Sequence, residues 1–217
     1  MEEYKTDFLG FAIESGALKF GEFTLKSGRV SPYFFNTGAF SSGAALAKLA
    51  RAYSLCINER SLEFDMLFGP AYKGIPLVSS ISVCYSGLYN RDIGFCFNRK
   101  EEKKHGEKGM IVGQELKGNV LIIDDVISAG TSVRESVKII KGESACPVAV
   151  VITLDRQERG LGPETAVEET EHSLNLKVES IVSFEDIVHY LQRIGNFSSE
   201  IEALRAYHIA YGNKASE

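Results

Sequence analysis

Apolar residues recur at helical spacing near the start of the chain and in short alternating runs soon after it. The spacing over residues 3–15 predicts a helix with one apolar face, which a glycine ends. Two short aromatic runs follow at 23–26 and 30–35, with a Ser-Gly turn at 27–28 between them. The pattern therefore predicts a helix and then a β-hairpin, which together form a small N-terminal cap over about residues 1–40.

After this cap, helical and extended patterns alternate. The first half predicts a helix opened by Ser41 or Ser42, a strand over 66–68, a helix from Ile75 to about Tyr85, a strand over 93–97 and a charged loop over about 99–109. The second half predicts a strand over 120–123, a helix with Val133, Val137 and Ile140 on one face, a strand over 148–152, and weaker helix, strand and helix signals up to Gly212. This alternation indicates an α/β fold with a central parallel sheet flanked by helices.

The composition limits the class of protein. The 217 residues are 44% hydrophobic and 24% charged, with no internal repeat, linker or low-complexity tract, so we expect a single domain over residues 1–217. No apolar run reaches the ~18 residues of a membrane span, and the acidic N-terminus lacks the pattern of a signal peptide. We therefore expect neither a membrane protein nor a secreted one. The net charge of −5 argues against a nucleic-acid partner.

The cysteines bear on the compartment in which the protein works. Cys56, Cys84, Cys96 and Cys146 lie far apart with no paired spacing, which argues against a zinc cluster and against a disulfide framework. We expect them to be buried small apolar residues. Their use suits a reducing environment, so the sequence predicts a cytoplasmic protein.

The strongest chemical pattern begins at the apolar run 120–123. Asp124 and Asp125 end this predicted strand, and a turn of small and hydroxylated residues leads into the next helix. Ligands of open α/β sheets bind beyond the carboxyl ends of strands, and a helix N-terminus favours a phosphate. Because adjacent acids could accept hydrogen bonds from vicinal sugar hydroxyls, the pattern predicts a sugar-phosphate site. The Walker pattern and the dinucleotide fingerprint are both absent.

Two further segments supply amide groups and positive charge. The loop over 69–74 follows the strand 66–68, so it lies at the same edge of the sheet, where its glycines expose backbone amides and Lys73 adds a charge. Residues 99–108 hold six basic side chains and three acidic ones. A run of this kind by itself is usually a solvated loop, although movable cations could enclose a pyrophosphate leaving group.

The acidic strand end and its turn resemble those of the type I phosphoribosyltransferases. The signature of that family for phosphoribosyl pyrophosphate (PRPP) is two apolar residues, two acids and a Thr/Ser-Ala/Gly-Gly-Thr turn. The resemblance narrows to the orotate phosphoribosyltransferases through the segments 23–29, 31–36, 69–74, 99–106 and 154–158. It implies the type I phosphoribosyltransferase fold, with the N-terminal cap as a hood and a flexible catalytic loop at about 99–109.

The resemblance also implies an activity and the residues that serve it. The phosphoribosyl group of PRPP would be transferred to orotate, giving orotidine 5′-monophosphate and pyrophosphate in pyrimidine (UMP) biosynthesis. The catalytic positions would be Lys73, Lys103, His105, Asp124 and Asp125. The PRPP-binding positions would be these five together with Lys26, Tyr72, Arg99, Lys100, Val126, Ile127, Ser128, Ala129, Gly130, Thr131 and Ser132.

The positions implied for orotate are Lys26, Phe34, Phe35, Ser128 and Arg156. An arginine suits this role because its guanidinium can pair with a carboxylate through two parallel hydrogen bonds. The alternative for the two phenylalanines is packing on the core, which we expect of one of the two rings. Ser128 departs from the threonine usual in the family, but it keeps the hydroxyl group.

The resemblance further implies Mg²⁺ as cofactor, bound mainly through substrate oxygens and water with no dedicated protein ligands. It also implies a homodimer in which the loop of each subunit completes the active site of the other. Two alternatives stay open. One is a phosphoribosyltransferase for another base, against which Arg156 and the segment 34–35 argue, and the other is a PRPP-sensing regulator, against which the net acidic charge argues.

Overall fold

The computed structural model of the chain describes residues 1–25, 27–101, 109–160 and 162–212. Its strands are β1 Leu18–Thr24, β2 Val30–Phe35, β3 Met66–Gly69, β4 Gly94–Asn98, β5 Ile111–Gly113, β6 Asn119–Ile123, β7 Cys146–Asp155 and β8 Lys177–Ser183. Its helices are α1 Glu3–Glu14, α2 Gly43–Glu59, α3 Gly74–Tyr89, α4 Thr131–Gly142, α5 Ala166–Leu174, α6 Phe184–Ile194 and α7 Ser198–Tyr211, with a short 3₁₀ helix over Thr37–Ala39. Each predicted helix and strand has a counterpart, although the first strand of the hairpin lies at 18–24 and not at the predicted 23–26.

The main sheet has six strands in the order β5-β4-β3-β6-β7-β8. Its neighbouring strands are parallel except β4 and β5, which are antiparallel. The chain runs from β3 to β4 on one side and then crosses to β6 on the other, so the winding direction reverses between β3 and β6. The loops that follow two such strands diverge, and the crevice between them is where open α/β sheets bind ligands.

Helices cover both faces of this sheet because its central strands are apolar on both sides. In β6, Leu121 and Ile123 join a core that also includes residues of α1, α2, α3 and α6. Val120 and Ile122 join a second core, on the other face, with residues of α4 and α5. A strand buried on both faces is a continuous apolar run, which explains why the sequence pattern predicted this strand so clearly.

The N-terminal cap is built from α1 and a two-stranded antiparallel sheet of β1 and β2. The pairing of these strands is irregular between Phe20 and Phe23. The buried Lys5 of α1 places its Nζ 2.9 Å from a carboxylate oxygen of Asp186 in α6. The cap is therefore tied to the far end of the chain by an ion pair that is shielded from solvent.

Three details refine or correct the sequence-based expectations. Ser42, rather than Ser41, caps α2, because its side chain accepts the amide hydrogen of Ala45 at 3.2 Å. Strand β5 was not predicted, since a three-residue edge strand is too short to show alternation. Cys146 is exposed at the first position of β7 and Cys84 is only partly buried, so the expectation that all four cysteines are buried is wrong.

The helices also bear on membrane insertion. Across the part of the chain that the structure describes, no helix is both long enough and apolar enough to cross a bilayer.

Candidate active site

Two buried acids occupy the carboxyl end of β6. The backbone pairing with β7 continues past the strand, because the Asp124 amide donates to the Val151 carbonyl at 3.1 Å and the Thr153 amide donates to the Asp125 carbonyl at 2.8 Å. The hydroxyl of Tyr53, which is fully buried in α2, donates to the Asp124 carbonyl at 2.7 Å. The positions of both acids are therefore fixed by the core of the protein.

The side chains of these two acids have different surroundings. Asp125 accepts hydrogen bonds from Lys73 Nζ at 2.5 Å, from Thr37 Oγ1 at 3.1 Å and from the Val126 amide at 2.9 Å. Asp124 accepts a hydrogen bond from the amide of Asp125 at 2.9 Å, and among the described residues no lysine donates to it. Burial raises the pKa of Asp124 to about 6, and the neighbouring Asp125 charge acts in the same direction, whereas a hydrogen bond from Ser132 opposes the shift.

A small cavity lies between these acids and the start of α4. Its volume is about 240 Å³, and it is lined by Asp124 and residues 126–133. Gly130 precedes α4 with φ +65°, where a Cβ would lie 2.8 Å from Thr170 Oγ1, so this position of the turn requires glycine. The first amides of α4 have no partner within the helix, and the positive end of the helix dipole favours an anion there. The cavity is suited to a phosphate group.

The loop after β3 lies at the same edge of the sheet. A Cβ on Gly69 would lie 2.4 Å from the carbonyl oxygen of Gly74, so the loop closes with its two ends in contact. Its centre is attached to the next strand, because the amide of Ala71 donates to Asn98 Oδ1 at 2.8 Å. Lys73 extends from this loop to Asp125, which joins the ends of β3 and β6 across the crevice.

The charged segment after β4 begins beside that loop. Lys100 places its Nζ 5.4 Å from the centre of the exposed Tyr72 ring. The amide of Arg99 donates to the Met110 carbonyl at 2.6 Å, which extends the pairing of β4 with β5. Lys103 and His105, which the sequence analysis assigned to catalysis, lie outside the described residues, as does Lys26.

Arg156 is the first residue after β7, the strand that pairs with β6. Its guanidinium lies 4.2 Å from the centre of the Tyr33 ring, and its Nη2 donates to Ser31 Oγ at 3.1 Å. Its Nε and Nη2 also contact Oε1 of Glu158, at 2.8 and 2.6 Å. Arg156 is therefore held at the inner face of the β1-β2 hairpin, at the carboxyl edge of the main sheet.

The two phenylalanines of β2 are placed differently from each other. Phe35 packs against the core, with its ring 6.5 Å from that of Phe40, as expected of one of the pair. Phe34 is exposed and stacks on Phe23, with 5.5 Å between ring centres. Because Ser31 and Tyr33 alternate with Phe34 along the strand, the Phe34 ring lies on the other face of the hairpin from Arg156.

The structure thus brings most of the predicted positions to one edge of the sheet. The loop after β3 contributes Tyr72 and Lys73, the segment from the end of β6 to the start of α4 contributes Asp124 to Ser132, and Arg156 follows β7. Sequence reasoning missed the supporting residues Thr37, Tyr53, Asn98 and Glu158. Thr37, Tyr53 and Asn98 each contact the site through one polar atom from a distant part of the chain. Glu158 is different, because its position two residues after Arg156 could have indicated that it belongs to the site.

Comparisons with known proteins agree with this site. The model of the phosphoribosyl transferase domain family matches residues 37–185. The chain is 51% identical over 212 residues to an orotate phosphoribosyltransferase of Thioalkalivibrio sulfidiphilus, and the match covers 98% of this chain and 100% of that protein. It is 52% identical over 212 residues to an orotate phosphoribosyltransferase of Alteromonas mediterranea, with the same coverage of 98% and 100%.

A solved structure agrees as well. The crystal structure of orotate phosphoribosyltransferase from Francisella tularensis superimposes with a TM-score of 0.87 at 41% identity, covering 95% of this chain and 100% of that one. The match therefore spans nearly the whole of both chains. The chain belongs to the orotate phosphoribosyltransferase family, within the type I phosphoribosyltransferases.

Proposed function

We propose that this protein transfers the phosphoribosyl group of PRPP to orotate, forming orotidine 5′-monophosphate and pyrophosphate in pyrimidine biosynthesis. Membership of the family supports this reaction. The observation that carries the proposal in the structure is that three strands, β3, β6 and β7, end side by side in a cation, two acids and an arginine. These groups match the three parts of the reaction: leaving group, sugar phosphate and base.

The phosphate and ribose of PRPP would bind at the end of β6. The cavity of about 240 Å³ before α4 has the amides of the turn and the hydroxyls of Ser128, Thr131 and Ser132 to hold the 5′-phosphate. Asp124 and Asp125 lie next to it and would accept hydrogen bonds from the ribose hydroxyls. An anchored ribose fixes C1′ for attack and places the positive charge of an oxocarbenium-like transition state near two carboxylates.

The pyrophosphate would lie over the loop after β3. Lys73 supplies one cation there, and Arg99 and Lys100 begin the charged segment that passes beside Tyr72. Lys103 and His105 would complete the set of donors. Negative charge grows on the pyrophosphate as the C1′–O bond breaks, so cations fixed around it lower the energy of the transition state more than that of the bound substrate.

Orotate would bind between this ribose and Arg156. The guanidinium offers N–H donors to the carboxylate, while Lys26, Ser128 and the chain at Phe34-Phe35 would complete the contacts. Arg156 lies one strand away from the acids, a separation that fits a base attached to C1′ of a ribose held at Asp124 and Asp125. The inversion at C1′ requires base and pyrophosphate on opposite sides of the ribose, as the ends of β7 and β3 are on opposite sides of β6.

The acid pair also bears on the proposed cofactor, Mg²⁺. Within the described ranges, no three His, Cys, Asp or Glu side chains are grouped as a metal site. The acids next to the PRPP position are nevertheless suited to a hard cation that keeps most of its waters and substrate oxygens. Bound with PRPP, Mg²⁺ would neutralise part of the pyrophosphate charge, and Asp124 and Asp125 would hold its water ligands.

We also propose that two copies of the chain form a homodimer in the cytoplasm, with each catalytic loop serving the other subunit. The proposal is supported by family membership. Tyr72, in the loop after β3, and Val83, on α3, are apolar side chains exposed in the described chain, and a second subunit would give such side chains a partner.

The experiment is an assay of the purified chain with orotate, PRPP and Mg²⁺. We expect orotate absorbance to fall while pyrophosphate appears in equal amount, and both changes to be absent from an Asp124→Asn/Asp125→Asn variant whose circular dichroism spectrum matches that of the parent. Adenine, hypoxanthine and uracil serve as matched substrates. Pyrophosphate release with one of these bases but not with orotate would contradict the proposed substrate.

A further inference from the structure

The carboxylate of Glu158 is shared by the nearby Arg156 and by two side chains from distant parts of the chain. Oε1 accepts from Arg156 at 2.8 Å, Oε2 accepts from the hydroxyl of Tyr207 in α7 at 3.1 Å, and Nη1 of Arg29 lies 3.8 Å from Oε2. The Glu158 side chain is 13% exposed, so these contacts are poorly screened by water. None of the roles proposed above uses Glu158 or Tyr207.

The contacts with Glu158 fix the plane of the Arg156 guanidinium. Arg156 uses its Nε–H and an Nη2–H toward Oε1, and its Nη2 also donates to Ser31. These bonds occupy one edge of the fork, and the Tyr33 ring supports its flat face. Since a guanidinium has five N–H donors in a rigid plane, fixing one edge also fixes the direction of the Nη1 donors.

The same contacts set the charge of the cluster. The two guanidiniums of Arg29 and Arg156 carry two positive charges and Glu158 carries one negative charge, which leaves one positive charge in a shielded place. Orotate has one carboxylate that uracil lacks. The cluster is therefore balanced for one anion, and its arginine is already oriented before that anion arrives.

Helix α7 holds the other side of this cluster. Nε of Arg159 donates to the Gly212 carbonyl at 2.7 Å, its Nη2 donates to the Ala210 carbonyl at 2.8 Å, and its amide donates to the Tyr211 carbonyl at 2.8 Å. Arg29 lies over the Tyr211 ring at 4.8 Å and donates to the Arg159 carbonyl at 3.0 Å. The last turns of α7 are thus attached directly to the segment that follows Arg156.

We propose that Glu158 is a positioning residue for orotate specificity, which orients the Arg156 guanidinium toward the orotate carboxylate and is itself held by Tyr207 of α7. This inference rests on the proposed function. It assigns part of the base selectivity to the C-terminal helix, which forms no part of the phosphate site. It requires that losing the Glu158 carboxylate weakens orotate binding even though the site becomes more positive.

The test uses Glu158→Gln and Glu158→Asp, with kinetic constants for orotate, PRPP and uracil. We expect each variant to raise the KM for orotate about tenfold, the scale of one charge-assisted hydrogen bond, and to leave the KM for PRPP and the kcat/KM for uracil within about twofold. Glu158→Asp keeps the charge but shortens the reach, so it separates orientation from net charge. Tyr207→Phe, which deletes one hydroxyl, should raise the orotate KM about twofold to threefold.

Glu179→Gln is the matched control. Glu179 lies on β8, its side chain is also 13% exposed, and its Oε2 also pairs with an arginine, 3.0 Å from Nε of Arg60. It should leave the orotate KM unchanged. Two outcomes would overturn the positioning role in a parent protein that converts orotate. One is an orotate KM of Glu158→Gln that equals or falls below the parent value, and the other is an equal rise in the KM values for orotate and PRPP. A parent that neither binds nor converts orotate would overturn the proposed function as well. If Glu158→Gln does not fold, an unchanged orotate KM in Tyr207→Phe overturns the proposal.

Discussion

Asp124 and Arg156 each lie one residue beyond neighbouring strands of the same sheet, but their surroundings are assembled in different ways. We call the part of the site around Asp124 the phosphate side and the part around Arg156 the base side. Nearly all of the phosphate side is one continuous segment, from the end of β6 through the turn to the start of α4. The base side, around Arg156, joins residues at the end of β7 to Ser31 of β2, 125 positions away, and to Tyr207 of α7, 49 positions away. A continuous segment can specify a site by itself, whereas a site of dispersed residues depends on how the whole chain packs.

The first prediction concerns a residue that belongs to neither side. Lys103→Ala should lower turnover by a factor of about 10²–10³, because it removes one fixed charge from a leaving group whose charge grows in the transition state. Steady-state kinetics measure the effect, and Lys104→Ala, at the adjacent lysine to which no role is assigned, is the matched control. If Lys103→Ala turns over substrate as fast as the parent, Lys103 has no part in the mechanism, and catalysis depends on the phosphate side and the base side alone.

The second prediction tests whether the phosphate side is held at a cost to stability. Burial raises the pKa of Asp124 from 3.8 to about 6, so the folded state binds this proton more tightly than the unfolded chain does. The contribution of this group to stability is then complete below the unfolded pKa and lost as the pH rises through about 6. The free energy of unfolding of Asp124→Asn minus that of the parent should grow by about 2–3 kcal/mol between pH 4 and pH 8.

Urea unfolding at a series of pH values measures this difference, with the exposed Asp92→Asn as control. The curves of Asp92→Asn and the parent should run parallel. A constant difference for Asp124→Asn across the same range would mean that Asp124 ionises as freely in the fold as in the unfolded chain, and the two sides would then be alike in cost.

The third prediction addresses the base side alone. Arg156→Ala should raise the apparent KM for orotate by a factor of about 30 or more, the scale of a lost charge-assisted pair in a shielded site, and should change the KM for PRPP little. Uracil should be a poor substrate of the parent and should lose little further. Equal losses for orotate and uracil would show that Arg156 supports the fold or the phosphate side instead.

The fourth prediction asks whether the Lys103 loop and the acid pair of one active site come from the same subunit. Lys103→Ala subunits mixed with Asp124→Asn/Asp125→Asn subunits should recover about a quarter of the parent activity, because half of the dimers are hybrids with one intact site in two. Each variant alone, put through the same dissociation and mixing, is the control. No recovery after verified subunit exchange would mean that the loop acts on its own subunit.

The contrast between the two sides also explains what the sequence could and could not predict. Continuous apolar runs predicted β3, β6 and β7, and the residues after the first two runs predicted the loop with Lys73 and the acid pair, whereas Arg156 was assigned through the family resemblance. Both inferences are local, because a strand end and the residues after it are adjacent in the chain. The sequence-based expectations for the sheet were confirmed for this reason.

The supporting residues were not predictable in the same way. Tyr53 donates to the Asp124 carbonyl from a helix 71 positions earlier, and nothing in the amphipathic pattern of α2 separates its hydroxyl from a packing role. Tyr207 reaches Glu158 from 49 positions away, in a helix whose signal was weak. Thr37 reaches Asp125 across 88 positions. A polar contact between distant elements depends on packing geometry, which one sequence does not display.

The hydroxyl of Tyr53 has a consequence for amide hydrogen exchange. It bonds the Asp124 carbonyl and lies 2.5 Å from Thr153 Oγ1, so the β6-β7 pairing is sealed inside the core where it meets the acids. The amides of Asp124 and Thr153 can exchange with solvent only when these strands separate, whereas an amide at the hairpin turn, such as that of Leu25, needs only local opening. Local opening of the hairpin turn would therefore leave intact the β6-β7 pairing that holds the two acids.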